Sequence, residues 1–77
     1  MTFDLVITEN CIACKRAEDI LTNYFYDKKP LRFNVSLQND FEKNISIVPA
    51  LLIEGKLFAY GDIDLQKLDA KIKGELN

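Results

Sequence analysis

Apolar and polar positions follow two rhythms along this chain, and the changes of rhythm mark out its elements. Phe3-Asp4-Leu5-Val6-Ile7-Thr8 contains an unbroken apolar run, Leu5-Val6-Ile7, which predicts a central strand covered on both faces. Glu9-Asn10 makes a short turn. Ala13, Ala17, Ile20, Leu21, Tyr24 and Phe25 then recur at helical spacing. Lys15, Arg16, Glu18, Asp19 and Asn23 fall mostly between them, on a face turned to water. The spacing predicts a helix over Ala13–Phe25 that ends near Asp27-Lys28-Lys29. Lysines there complement the negative end of the helix dipole, and Pro30 forbids continuation. Leu31-Arg32-Phe33-Asn34-Val35-Ser36 alternates strictly, as a strand with one buried face does. Strand, helix and strand within about thirty residues form a βαβ unit, with parallel strands and a right-handed crossover.

The stretch Leu37–Asn44 is polar around an isolated Phe41, and a short helix over about Asn39–Lys43, capped by Asn39 or a neighbour, is expected. Ala50-Leu51-Leu52-Ile53 and Leu57-Phe58-Ala59-Tyr60 are apolar runs joined by Glu54-Gly55-Lys56, where Gly55 supplies the positive φ of a tight hairpin. Pro49 stands just before the first of these strands, where its missing N–H does least harm. Gly61-Asp62-Ile63-Asp64 breaks the second strand, and either aspartate can cap a last helix. Leu65, Leu68, Ile72 and Leu76 give that helix an apolar stripe, and Lys71 and Lys73 lie late in it, matching its dipole. The expected order is β-α-β-α-β-β-α in one α/β domain spanning residues 1–77, without repeat or linker.

Composition narrows the function. Seventy-seven residues allow one modest core. The net charge of -2 and the lack of a basic run longer than Lys28-Lys29 argue against a surface that tracks nucleic-acid phosphates. No basic segment followed by a long apolar one opens the chain, and no run approaches membrane-spanning length. A cytoplasmic protein with neither a nucleic-acid nor a membrane partner is expected. Thiols in that compartment stay mostly reduced, so a cysteine pair there is more often catalytic or metal-binding than a staple.

Cys11-Ile12-Ala13-Cys14 is the candidate chemistry. The pair falls between the first strand and the first helix and can close a disulfide across the first helical turn. Backbone N–H groups at that end lack intrahelical partners, and the dipole is positive there. A thiolate on Cys11 gains about 0.3–2 kcal/mol from this, roughly a quarter to one and a half pKa units downward. That environment makes a reactive cysteine. As a staple, so small a loop would contribute only about 2 kcal/mol. Two other readings stay open. The cysteines could be ordinary small apolar residues. They could also be half of a metal site, although zinc prefers four N/S ligands, and with no histidine and no third cysteine it would need a second chain or carboxylates. Glu9 is either a proton shuttle or a solvated turn residue. Lys15 and Arg16 either steady the thiolate or simply face water. Asp62 and Asp64 either bind a ligand amino group or cap the last helix.

The order of elements, with C-x-x-C after the first strand and Val-Pro before the third, resembles the thioredoxin fold in its short, glutaredoxin-like form. Cys11 to Ala17 looks like the redoxin active site and the start of its helix. Ile47-Val48-Pro49-Ala50-Leu51 looks like the segment carrying the family's cis-proline. Tyr60-Gly61-Asp62-Ile63-Asp64-Leu65 is similar to the segment that starts the last glutaredoxin helix. The resemblance implies a four-stranded mixed sheet with helices on both faces. It also implies a thiol–disulfide oxidoreductase in electron transport that works by dithiol exchange. Cys11 would attack, Cys14 would resolve, and Pro49 would face them in cis. Val48, Ile12, Ala13, Gly61 and Asp64 would contact substrate. No metal and no bound cofactor is implied, with glutathione a candidate co-substrate. The implied partners are a disulfide-bearing protein or small thiol, and a reductase or glutathione as electron donor to a monomer. Ile12 and Ala13 stand where glutaredoxins carry proline and an aromatic, Thr8 where they carry a basic residue, and Tyr60 in place of one of two glycines. The alternatives are a thioredoxin-fold binding module with regulatory cysteines, and a dimer bridged by a metal or cluster through C-x-x-C.

Overall fold

The structure, a computed structural model, describes residues 1–28, 31–41 and 44–76. Its elements run β1 (Thr2–Ile7), α1 (Ile12–Phe25), β2 (Arg32–Leu37), a 3₁₀ turn (Gln38–Asp40), β3 (Ala50–Ile53), β4 (Lys56–Tyr60) and α2 (Leu65–Leu76). The strands form one mixed sheet in the order β2-β1-β3-β4. β1 runs parallel to β2, with Leu5 opposite Val35, and antiparallel to β3, with Leu5 opposite Leu51 and Val6 opposite Ala50. Two of the three continuous apolar runs have become the inner strands, where Leu5, Val6, Ala50, Leu51 and Leu52 are each no more than 1% exposed, while the third, Leu57–Tyr60, lies in the edge strand β4. The strictly alternating strand is at the edge. Its register puts Val35 level with Leu5, yet Val35 and Leu37 keep 39% of their surface, because an edge strand has a neighbour on one side only.

The hairpin between β3 and β4 is the expected one, with an addition. Gly55 has φ 80°, and Glu54 before it also lies in the left-handed region at φ 51°. Two such residues in succession give a turn whose twist matches that of the flanking strands. Glu54 is held from outside the hairpin: its N–H donates to the Thr2 carbonyl at 2.9 Å, and its carboxylate accepts from the Thr2 N–H at 2.8 Å. The pairing slips by one residue after Leu51, which faces Ala59 while Leu52 faces Leu57. Phe58 is the extra residue of this bulge, and it packs with the helix-side core.

Both α-helices lie on one face of the sheet, a correction to the expectation of helices on both. Phe3, Leu5, Leu51 and Ile53 meet Ala17, Leu21 and Phe25 of α1 and Leu68 and Ile72 of α2 in one buried cluster. On the opposite face Val6, Ala50 and Leu52 are covered by Phe41, Ile45 and Val48. The helix expected over Asn39–Lys43 is, within the described residues, the 3₁₀ turn Gln38–Asp40, and residues 42–43 lie outside them. One apolar side chain cannot give a helix a buried stripe. Phe41 instead sits in extended backbone and packs against the second face as an isolated plug.

Aromatic packing fastens the end of α1. Phe25 stacks on Phe33 at 5.0 Å between centroids and meets Phe3 at 4.7 Å. Lys28 closes the helix as expected of a basic residue there: its ammonium donates to the Tyr24 carbonyl at 2.8 Å and lies 3.9 Å from the Tyr24 ring centre. The stop signal at Pro30 and the side chain of Leu76 lie outside the described residues. Among those described, no helix is long and apolar enough to cross a membrane.

Candidate active site

The chain leaves β1 at Ile7 and turns through Thr8, Glu9 and Asn10. Asn10 takes φ 56°, a conformation that asparagine adopts more readily than most residues. Cys11 follows in extended backbone and is the N-cap of α1. Its Sγ accepts from the Cys14 N–H at 3.1 Å, and its carbonyl accepts from the Lys15 N–H at 3.0 Å. Sulfur thus occupies the place where a helix start presents unpaired donors and partial positive charge. Cys11 and Cys14 are joined as a disulfide, their Cα atoms 5.1 Å apart. The two differ in access. Cys14 is 1% exposed behind the helix start, whereas Cys11 is half-buried at the surface. Ile12 between them is 82% exposed and Ala13 is half-buried.

An open cavity of about 500 Å³ borders the pair, walled by Ile7, Thr8, Ile12, Lys15 and Glu18. Thr8 and Glu18 are contributions that sequence reasoning did not assign. Glu18 had a readable signal, since it lies four residues after Cys14 on the same side of the helix.

The antiparallel pairing of β1 with β3 delivers the second part of the site. Val6 is opposite Ala50, so the residues just before Ala50 lie at the end of the sheet where β1 gives way to the Cys11 loop. Val48–Pro49 is there, and the peptide bond is cis, as the resemblance implied. Pro49 is fully buried, and its carbonyl accepts from the Gly61 N–H at 2.8 Å, which ties in the loop after β4. Gly61 has φ 74°, and a Cβ there would meet nothing within 4 Å. The backbone angle, not space, calls for glycine at this position. Val48 is half-buried and packs on the second-face core.

The two aspartates of that loop separate by role. Asp64 is the cap of α2: its Oδ1 accepts from the Gln66 N–H at 2.9 Å and the Lys67 N–H at 3.4 Å. Asp62 pairs with Arg16 at 3.1 Å, linking the first turns of α1 to the loop after β4. Lys15 pairs with Asp19 at 3.2 Å along α1. Among the described residues, no group of three or more cysteine, aspartate or glutamate side chains is gathered where it could hold a metal ion.

The shifted ionisations lie elsewhere, along α2 and where it meets α1. Burial pushes the Tyr24 hydroxyl up to about 12, helped by the Asp69 carboxylate that accepts from it at 2.8 Å. Hydrogen bonding from Lys73 and then from Tyr24 holds Asp69 below the usual carboxylate value.

A small mixed α/β domain whose four-stranded sheet leads into a Cys-x-x-Cys disulfide at a helix start is compatible with a thioredoxin-like fold. No family model matches the chain, and no curated protein matches it. The reading of the site therefore stands on the chain's own geometry.

Proposed function

We propose that the protein is a small thiol–disulfide oxidoreductase of the thioredoxin-like class, working by dithiol exchange through Cys11 and Cys14. The observation that carries this reading is the unequal placement of two bonded sulfurs at one helix start. One reaches the surface and accepts a backbone N–H; the other is buried one turn on. In the reduced protein a Cys11 thiolate would receive that N–H as a charge-assisted hydrogen bond. It attacks one sulfur of a substrate disulfide R–S–S–R, forming a mixed disulfide and expelling one RS⁻. Cys14 then loses its proton and attacks the Cys11 sulfur, which releases the second RS⁻ and restores the Cys11–Cys14 bond. Two electrons pass from the protein to the substrate, and both leaving thiolates take up protons from water. No bound cofactor enters these steps. Ile12 and Ala13 lie between the two sulfurs in the chain, Val48 and Pro49 would meet the substrate from the same end of the sheet, and the Gly61 N–H holds Pro49 through its carbonyl. Asp64 serves the site by starting α2. An external dithiol, a flavin-dependent reductase or glutathione would return the protein to its reduced form.

The test is a pair of single substitutions assayed on a model disulfide with an external dithiol as reductant. Cys11→Ser is expected to lower turnover to the rate of the dithiol alone, and Cys14→Ser, mixed with the disulfide after the dithiol has been removed, to accumulate a mixed disulfide visible as an added mass. Turnover by the Cys11→Ser variant at the parent rate would overturn the reading and leave a binding module whose cysteines do no exchange.

A further inference from the structure

We propose that this site selects disulfides by charge, taking those that carry cationic groups in preference to those that carry carboxylates. The inference rests on the exchange reading above and adds the class of substrate. Its basis lies in the rim. Beside the cavity at the disulfide is a second one, of about 210 Å³, and Thr8 belongs to both. Glu9, from the turn before Cys11, and Asp40, from the 3₁₀ turn after β2, line the second cavity, and among the described residues no cation does. Both carboxylates are exposed. Glu18 adds a third carboxylate to the wall of the first cavity.

The two cations at the start of α1 are already paired. Lys15 is paired with Asp19 and Arg16 with Asp62, and Lys67 lines a separate cavity together with Asp62 and Asp64. Among the described residues, the cation in the wall of the disulfide cavity, Lys15, is thus already paired, so an anionic substrate gains little there and approaches Glu9 and Asp40, while an ammonium group finds both carboxylates open to it. Single charges on this scale interact weakly through water, but several of one sign around a cleft add up, and they act on the rate of encounter. Oxidised glutathione, which is net anionic, is on this account a poor substrate.

Pre-reduced protein, freed of reductant, is mixed in single turnovers with three disulfides: cystamine, bis(2-hydroxyethyl) disulfide and 3,3′-dithiodipropionate. These bear two ammonium groups, no charge and two carboxylates. Formation of the Cys11–Cys14 bond is followed by mass, and each rate is divided by the rate of the same disulfide with dithiothreitol to remove intrinsic reactivity. At low ionic strength the normalised rates should fall in the order cation, neutral, anion, with about tenfold between the extremes. About 1 M salt should bring that ratio close to one. Glu9→Gln combined with Asp40→Asn should lower the ratio several-fold at low salt. Equal normalised rates, a reversed order, or a ratio that the double substitution leaves untouched would overturn the charge selection while leaving exchange intact. Failure of all three disulfides to oxidise the protein would remove the exchange reading, and this inference with it.

Discussion

On the helix side of the sheet, Phe3, Leu5, Leu51 and Ile53 are covered by five side chains from α1 and α2. On the other side, Val6, Ala50 and Leu52 are covered by Phe41, Ile45 and Val48, all from irregular chain. The first face is closed by elements that satisfy their own backbone hydrogen bonds and project apolar stripes. The second is closed by single residues hung between short turns. Stability is therefore concentrated on one side, and Val48 belongs to the other. Segments with few buried apolar contacts open most easily, and binding sites are commonly built from them. Val48 covers this thinner core and leads into the cis proline at the end of the sheet where the Cys11 loop begins.

The sharpest contrast between the faces should come from one phenylalanine on each. Phe25→Ala removes the ring that joins Phe3 to Phe33 and should cost about 3–5 kcal/mol. A domain of this size has a total of roughly 5–15 kcal/mol, so the loss should appear as a large drop in the urea midpoint. Phe41→Ala, which takes away a half-buried plug, should cost about 1–3 kcal/mol in the same measurement. Equal costs would mean that the two faces carry equal weight. Asp64→Ala removes the α2 cap and should cost about 1 kcal/mol, again by urea unfolding.

Smaller effects come from the contact between the helices. Tyr24 ionises at about 12 in the folded protein against 10.0 ordinarily. The folded state therefore holds this proton more tightly, a stabilisation present below pH 10 and lost as pH rises toward 12. The thermal midpoint of the parent should fall more steeply across that interval than that of Tyr24→Phe. The smallest effect is a gain. Gly74 lies in α2 with nothing within 4 Å of a would-be Cβ, so Gly74→Ala should add about 0.5 kcal/mol or slightly more in urea unfolding.

Much of this arrangement was legible in the chain. Leu5-Val6-Ile7 announced an inner strand, Ala50-Leu51-Leu52-Ile53 and Gly55 a strand and its hairpin, and the Ala17, Leu21, Phe25 spacing a helix, because burial imposes those periods directly. The apolar runs also required cover on both faces of the sheet, but they carry no information about what supplies it. Phe41, alone among polar neighbours, has no period, and among the described residues the helix expected around it is a 3₁₀ turn that ends in extended backbone at Phe41. Glu54 in a left-handed turn and the bulge at Leu51–Leu52 depend on pairing partners distant in sequence, such as Thr2 and Leu57. At the site, the cysteine pair and its helix start were readable. The division of labour between Asp62 and Asp64 was not, because it depends on where Arg16 points across the fold.

Most helices begin on an oxygen supplied by serine, threonine, asparagine or aspartate. In α1 that job falls to the sulfur of Cys11, through the Cys14 N–H. The atom proposed to trade electrons is also the one that seals the coil, so each redox state hands the helix a different acceptor: a neutral bonded sulfur, an anion, or a sulfur tethered to a substrate. The backbone amide of Cys14 is thus a built-in gauge, and its proton resonance should move with every step of the cycle without any added label.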